Sequence, residues 1–251
     1  MRLKDRHVRT LEILGEHSEV SVVELSRITG VSEMTVRRDL DELERDGLLR
    51  RVHGGATRVV SRSHEPAYAL RAARNVEAKE RIATRAAALV SEGETLVIDV
   101  GSTALALAGA LGEIPVTVVT PSLRVANLLA DRPAVRLILA GGVVRAGEQS
   151  LVGPLAEQAF EDLRCDTAFV GAGGIELSAG VTEYNLEDAH IKRVTLNSCR
   201  RCVVLADASK LGAVAFARVC PLDRVHVLVT DESSDEVLQP FRDLGIEVLI
   251  A

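Results

Sequence analysis

From residue 94 onward, seven short apolar runs alternate with helical patterns, at 95–99, 116–119, 135–139, 167–170, 203–205, 225–230 and 247–250. Several are apolar at consecutive positions instead of at every second one. A strand of that kind has to be covered on both faces, and strands that alternate with helices pair in parallel. This constrains the chain more than any other feature. Residues 67–251 are expected to form a mainly parallel α/β domain, its first helix running through the Ala- and Arg-rich stretch 67–91. In such a sheet the loops after the strands' carboxyl ends share one edge, and ligands bind there.

Hydrophobic residues make up 47% of the 251, but aromatics only 2%, with no Trp, so the core must be Val, Leu, Ile and Ala. No apolar run nears the roughly 18 residues of a membrane span. The amino terminus is charged and has no apolar signal region, so the cytoplasm is the expected location. Of the four cysteines, Cys199 and Cys202 form a C-x-x-C. The pair does not open a helix, where a thiolate would be stabilised, and no two further ligands stand nearby for zinc. Ordinary reduced thiols are expected, with no metal and no cofactor.

The first 60 residues read as three helices and a hairpin. Val8, Leu11 and Leu14 mark one face of the first helix. Ser21 and Glu24 form a capping box that opens the second, with Leu25 and Ile28 inward and a stop at Gly30. Ser32 caps the third, which runs to about Asp46 and stops at Gly47. A three-residue turn, 30–32, between two short helices fits a helix-turn-helix. Strands at 48–52 and 56–60 flank Gly54-Gly55, read as a tight turn with positive φ. The polar segment 61–66 reads as a linker.

On the third helix Val36, Leu40 and Leu43 recur at the spacing of a buried face. Met34, Arg38, Asp41 and Arg45 then face outward, with Thr35 and Arg37 at the flanks. The amino-terminal half of such a helix reaches base edges in the major groove. Ser32, Met34, Thr35, Arg37 and Arg38 are therefore the candidate base and phosphate contacts, and Arg50, Arg51 and His53 the wing contacts. The competing reading is a solvated charged face, to which Asp39, Asp41, Glu42 and Glu44 would belong. The net charge of −6 does not oppose DNA binding. Residues 1–60 hold 11 basic and 11 acidic residues, and 45–58 hold four Arg against Asp46 alone. A basic patch matters more than a basic protein.

Asp99-Val-Gly101-Ser102-Thr103 closes a strand and opens a helix. Free N–H groups beside two hydroxyls make a phosphate cradle there. Thr120 and Ser122, Gly141 and Gly142, Gly171 and Gly173, and Asp207 with Lys210 follow four other strands. Small and hydroxyl residues at five strand ends, with Lys210 as cation, favour an anionic ligand. The segment from Gly171 lacks the third glycine of a dinucleotide fingerprint, since position 176 is Glu.

The stretch VSEMTVRRDLDELERDGLLRRVHGGA, 31–56, resembles the amino-terminal signature of DeoR-type bacterial transcriptional regulators. Asp99–Thr103 is similar to that family's Asp-x-Gly-Ser/Thr-Thr segment, and Asp207–Gly212 to its Asp-x-Ser-Lys-(Phe/Leu/Val)-Gly segment. Residues 180–182 and the helix from Glu187 to Lys192 also match. The resemblance implies a winged helix-turn-helix followed by a sensor domain related to ribose-5-phosphate isomerase, glucosamine-6-phosphate deaminase and CoA transferases. It implies that Ser102, Thr103 and Lys210 hold a phosphate and that Asp99 and Asp207 shape the pocket. Pro121 departs from the family, which often has Asn there. The expected function is a DNA-binding regulator, a repressor of a carbohydrate operon. Its expected partners are double-stranded operator DNA, a phosphorylated sugar or related anionic metabolite, and further copies of itself. The alternative is a sugar-phosphate isomerase or deaminase with an accessory DNA-binding domain.

Overall fold

The computed structural model describes residues 3–17, 19–45, 48–58 and 61–251. The chain divides into two compact units, 1–74 and 75–251.

In the first unit the order is α1 (Leu3–Glu16), β1 (Glu19–Ser21), α2 (Val22–Thr29), α3 (Glu33–Arg45), β2 (Leu49–Val52), β3 (Gly55–Arg58) and α4 (Tyr68–Ala73). The capping signals act as their chemistry requires. Ser21 Oγ accepts the Glu24 N–H at 3.1 Å, and α2 ends at Gly30 with φ 71°. Ser32 Oγ accepts the Thr35 N–H at 3.3 Å. Leu25, Leu40, Leu43 and Leu49 are fully buried in one apolar cluster with Val36 and Ala56, each contributing about 1.5–3 kcal/mol by leaving water. The expected end of α3 at Asp46 and Gly47, and of the wing strand at 59–60, lie outside the described residues.

Three expectations for this unit are corrected. The buried side of α1 runs through His7, Thr10, Ile13 and Leu14, and Val8 and Leu11 lie at its margins. On α2, Ile28 is exposed and Thr29 takes the inward position, because its hydroxyl bonds the Leu25 carbonyl at 2.6 Å and so satisfies itself inside. The expected hairpin is present, β2 pairing antiparallel with β3, and β1 adds a third strand in the order β1-β3-β2. Only Gly54 of the glycine pair has positive φ, 79°. Gly55 is needed for closeness: a Cβ there would lie 2.3 Å from the Val20 carbonyl of β1.

The expected helix over 67–91 is two helices, α4 and α5 (Val76–Ala87). Asn75 between them adopts the left-handed conformation, φ 52° and ψ 41°, which no helix can pass through. Leu70 of α4 packs on the first unit's core, and the chain passes from the first unit to the second between Arg74 and Asn75. The segment 61–66 is held to α4: Arg71 donates to the Pro66 carbonyl and pairs with Glu65, both at 3.0 Å.

The second unit continues with β4 (Thr95–Ile98), α6 (Ser102–Ala110), β5 (Val116–Thr120), α7 (Leu123–Leu129), β6 (Val135–Leu139), β7 (Val143–Arg145), β8 (Ser150–Val152) and α8 (Pro154–Glu161). After these come β9 (Cys165–Gly171), β10 (Gly174–Glu176), β11 (Gly180–Glu183), α9 (Leu186–Ser198), β12 (Cys199–Leu205), β13 (Ala217–Cys220), β14 (Val227–Thr230), α10 (Asp235–Asp243) and β15 (Glu247–Ile250). The seven expected apolar runs form one sheet in the order β15-β14-β12-β9-β4-β5-β6. Every neighbouring pair is parallel.

Alternate residues of one strand serve opposite cores. Leu96, Ile98, Val118, Phe169, Val203 and Leu205 pack beneath α5, α6 and α7. Val97, Val119, Val170, Val204 and Leu228 pack beneath α8, α9 and α10. That is why these strands are apolar at consecutive positions. Cys199 begins β12, in register with Cys165 of β9, and all four thiols are free. Among the described residues no cluster of His, Cys, Asp or Glu could hold a metal ion, and no helix is long and apolar enough to cross a membrane.

Candidate functional site

On α3 the inward positions are Val36, Leu40 and Leu43, and the opposite side carries exposed Met34, Arg37 and Arg38, with Thr35 half-buried. Arg38 and the wing residues Arg50 and His53 are exposed and have no ion-pair partner among the described residues. Arg37 makes a solvated pair with Glu33 at 3.3 Å, worth little against a phosphate. Ser32 is engaged with Thr35 at the start of the helix.

Arg51 differs from its neighbour. Its guanidinium reaches Asp41 and the Arg37 carbonyl, and its N–H donates to Glu44 at 2.7 Å. It braces the wing against α3 instead of standing free beside it. The alternation of β2 carried that signal, since Arg51 shares a strand face with buried Leu49. Asp39 is also not part of a solvated face. It is 5% exposed and accepts two bonds from Arg6, at 2.7 and 2.9 Å. This forked pair fixes α1 across α3, and Arg6 had no sequence signal that separated it from the other basic residues of α1.

In the second unit, β6, β5, β4, β9 and β12 are consecutive neighbours and all parallel. The loops after their carboxyl ends, at 140–142, 120–122, 99–102, 171–173 and 206–210, therefore lie along one edge. Gly101 has φ 104° and α6 starts without a side-chain cap. Its first N–H groups are unsatisfied by described side chains, and Ser102 and Thr103 are half-buried, their hydroxyls with no hydrogen bond to other described residues. Lys210 is half-buried; its ammonium lies 3.4 Å from the Tyr184 hydroxyl and 5.4 Å from that ring's centroid, with no acidic partner among the described residues.

Of the other expected contacts, all but Gly141 are occupied within the fold. Thr120 is fully buried, and its hydroxyl donates to Ile98 and accepts from the Ser122 N–H. Ser122 caps α7 through Val125. Pro121 offers its carbonyl to Leu151 at 2.7 Å. Gly142, with φ 117°, lets the chain pass the Val152 carbonyl, which a Cβ would meet at 2.5 Å. Gly141 is exposed. Gly171 donates its N–H to Asp99 at 2.9 Å. Gly173 lies where a Cβ would press on Glu183 and Ala215 at 3.1 Å. Asp207 is buried and accepts from the Ser209 N–H and hydroxyl.

The sequence reading missed the group at the floor of this edge. Lys192 of α9 is buried and donates to Asp99 at 2.7 Å, Glu183 at 2.8 Å and the Gly171 carbonyl at 2.8 Å. Its three protons are all spent. Burial alone would lower the Lys192 pKa, but Asp99 and Glu183 together outweigh it and push it up. A lysine so held is a charged stitch between the loop after β4, β9, β11 and α9, and no base for chemistry.

Two family models cover this architecture. Residues 74–232 match the DeoR C terminal sensor domain, and residues 6–62 match the DeoR-like helix-turn-helix domain. The chain belongs to the DeoR family. It is 35% identical to the HTH-type transcriptional regulator GolR of Listeria innocua serovar 6a, over 98% of each chain. It is 33% identical to the glycerol-3-phosphate regulon repressor of Escherichia coli K12, over 99% of each. Among solved structures, ribose-5-phosphate isomerase A from Methanocaldococcus jannaschii is similar over 54% of both chains, with 21% identity and a TM-score of 0.41. The protein is thus a DNA-binding transcriptional regulator, and its second unit is a DeoR sensor.

Proposed function

We propose that this DeoR-family regulator represses a carbohydrate-metabolism operon in the cytoplasm and is released from its operator by a phosphorylated sugar or a related anionic metabolite. The observation that carries the sensor half is the start of α6 without a side-chain cap, with the hydroxyls of Ser102 and Thr103 unpartnered among the described residues, on the same sheet edge as Lys210, which has no acid partner among them. Helix-start N–H groups, hydroxyls and an ammonium together suit a phosphate dianion. The glycerol-3-phosphate regulon repressor named above is a relative over its full length, which supports a phosphorylated effector here. The DNA half rests on exposed Met34 and Arg38 of α3 and exposed Arg50 and His53 of the wing. As a homo-oligomer the regulator would present two α3 helices to successive major grooves.

Two measurements test this reading. Thermal shift of the full chain against a panel of sugar phosphates is expected to find a stabiliser whose effect Lys210→Ala abolishes. Full retention by that variant refutes the phosphate role. Arg38→Ala is expected to cost about 1–3 kcal/mol of operator affinity in a fluorescence titration, and unchanged affinity removes Arg38 from the reading set.

A further inference from the structure

An Asn at a helix start normally accepts the N–H of the second or third helical residue through its side chain. Asn75 stands at that position for α5 and does not do so: its side chain makes no cap bond. It donates instead to Asp207 Oδ1, at 3.1 Å and 132 positions away. Its backbone is left-handed, with φ 52°, a region that non-glycine residues occupy uncommonly and that tends to persist where surrounding structure holds it.

The acceptor is the first residue of the segment 207–210 that carries Lys210. The same Asp207 oxygen receives the Ser209 N–H at 3.0 Å and the Ser209 hydroxyl at 2.5 Å. Three donors therefore share one carboxylate oxygen, and Asp207 caps the short turn Ala208–Lys210. Asn75 is also the first residue of the second unit, directly after Arg74, where the chain passes from one unit to the other. Its carbonyl accepts the Lys79 N–H at 3.0 Å in the first turn of α5.

We propose that Asn75 is a positioning residue that couples the Lys210 turn to the junction between the two units. An anion drawn to Lys210 competes for the Ser209 hydroxyl and shifts the turn, and the Asp207 oxygen then holds the Asn75 amide differently. That amide restrains the left-handed backbone, so the direction in which the chain leaves the second unit depends on occupancy at Lys210. A ligand can shift such an equilibrium only by holding the two arrangements unequally, and the shared oxygen supplies the inequality. The inference rests on the reading of Lys210 as an anion ligand.

The test is hydrogen–deuterium exchange of the full chain with and without inorganic phosphate, in the wild type, Asn75→Gly and Asn75→Asp. Glycine keeps the left-handed backbone available and deletes only the amide. Aspartate also tolerates that backbone, but turns the donor into a carboxylate facing Asp207. In the wild type, phosphate is expected to slow exchange both at 205–213 and at 74–80. Both variants are expected to keep the response at 205–213 and lose it at 74–80. They should also exchange about fivefold faster at 74–80 without phosphate, the loss of one hydrogen bond's protection. A variant that responds at both segments as the wild type does overturns the coupling, as does a wild type that responds at 205–213 alone. A wild type silent at 205–213 removes the anion site, and the coupling with it.

Discussion

Individual residues in this regulator divide into those that are held and those that are available, and charge alone does not tell them apart. Arg50 and Arg51 are adjacent, yet Arg50 is exposed and Arg51 is tied to Asp41 and Glu44. Asp39 and Asp41 are two apart, yet Asp39 is buried against Arg6 and Asp41 is exposed. The sequence showed that α3 has a polar side. It could not show which of its acids meets a partner from another helix, because Arg6 is 33 positions away. Removing one member of a buried forked pair strands the other. Asp39→Ala is accordingly expected to destabilise the first unit by about 3 kcal/mol in urea denaturation. Asp41→Ala, by contrast, is expected to change stability by under about 1 kcal/mol. Equal costs for the two would show that the Arg6 pair is not what anchors α1.

Elements were legible in proportion to the apolar surface they bury. All seven strands of the parallel sheet were marked by runs whose residues feed two cores, and all seven are present. The strands β1, β7, β8 and β10 are three residues each, too short for a periodicity to register. The break at Asn75 had no proline or glycine to announce it. The side chain of Asn75 bonds Asp207, 132 positions away, which no local pattern contains. The glycine pair of the wing gives a test at this scale. Gly54→Ala is expected to cost about 1–2 kcal/mol for its positive φ. Gly55→Ala forces β3 away from the Val20 carbonyl and is expected to cost about as much or more, up to 3 kcal/mol. It should also loosen β1, seen as faster amide exchange at Val20 and Ser21. Retained protection at these amides would mean that the close approach of β1 to Gly55 is not a constraint.

At the scale of the whole molecule the described residues form three hydrophobic cores, one in 1–74 and two in 75–251, one on each face of the sheet. Units with their own cores unfold on their own terms. Calorimetry is expected to resolve two transitions, and an effector that binds the second unit is expected to raise the one that belongs to it, by an amount set by its concentration over its dissociation constant. A single transition that moves as a whole would show the units to be one cooperative body.

The scarcity of aromatic residues, met first as a limit on the core, leaves this protein nearly dark in the ultraviolet. It has no Trp and two Tyr. Tyr68 lies in α4 of the first unit with the Arg71 guanidinium 5.8 Å from its ring centre, and Tyr184 lies beneath the Lys210 ammonium in the second. Each unit therefore has one tyrosine, and Tyr184 emission is expected to respond to a change at Lys210. Tyrosine emission, usually drowned by indole, is then expected to give a label-free signal from the Lys210 turn, with Tyr68→Phe isolating it.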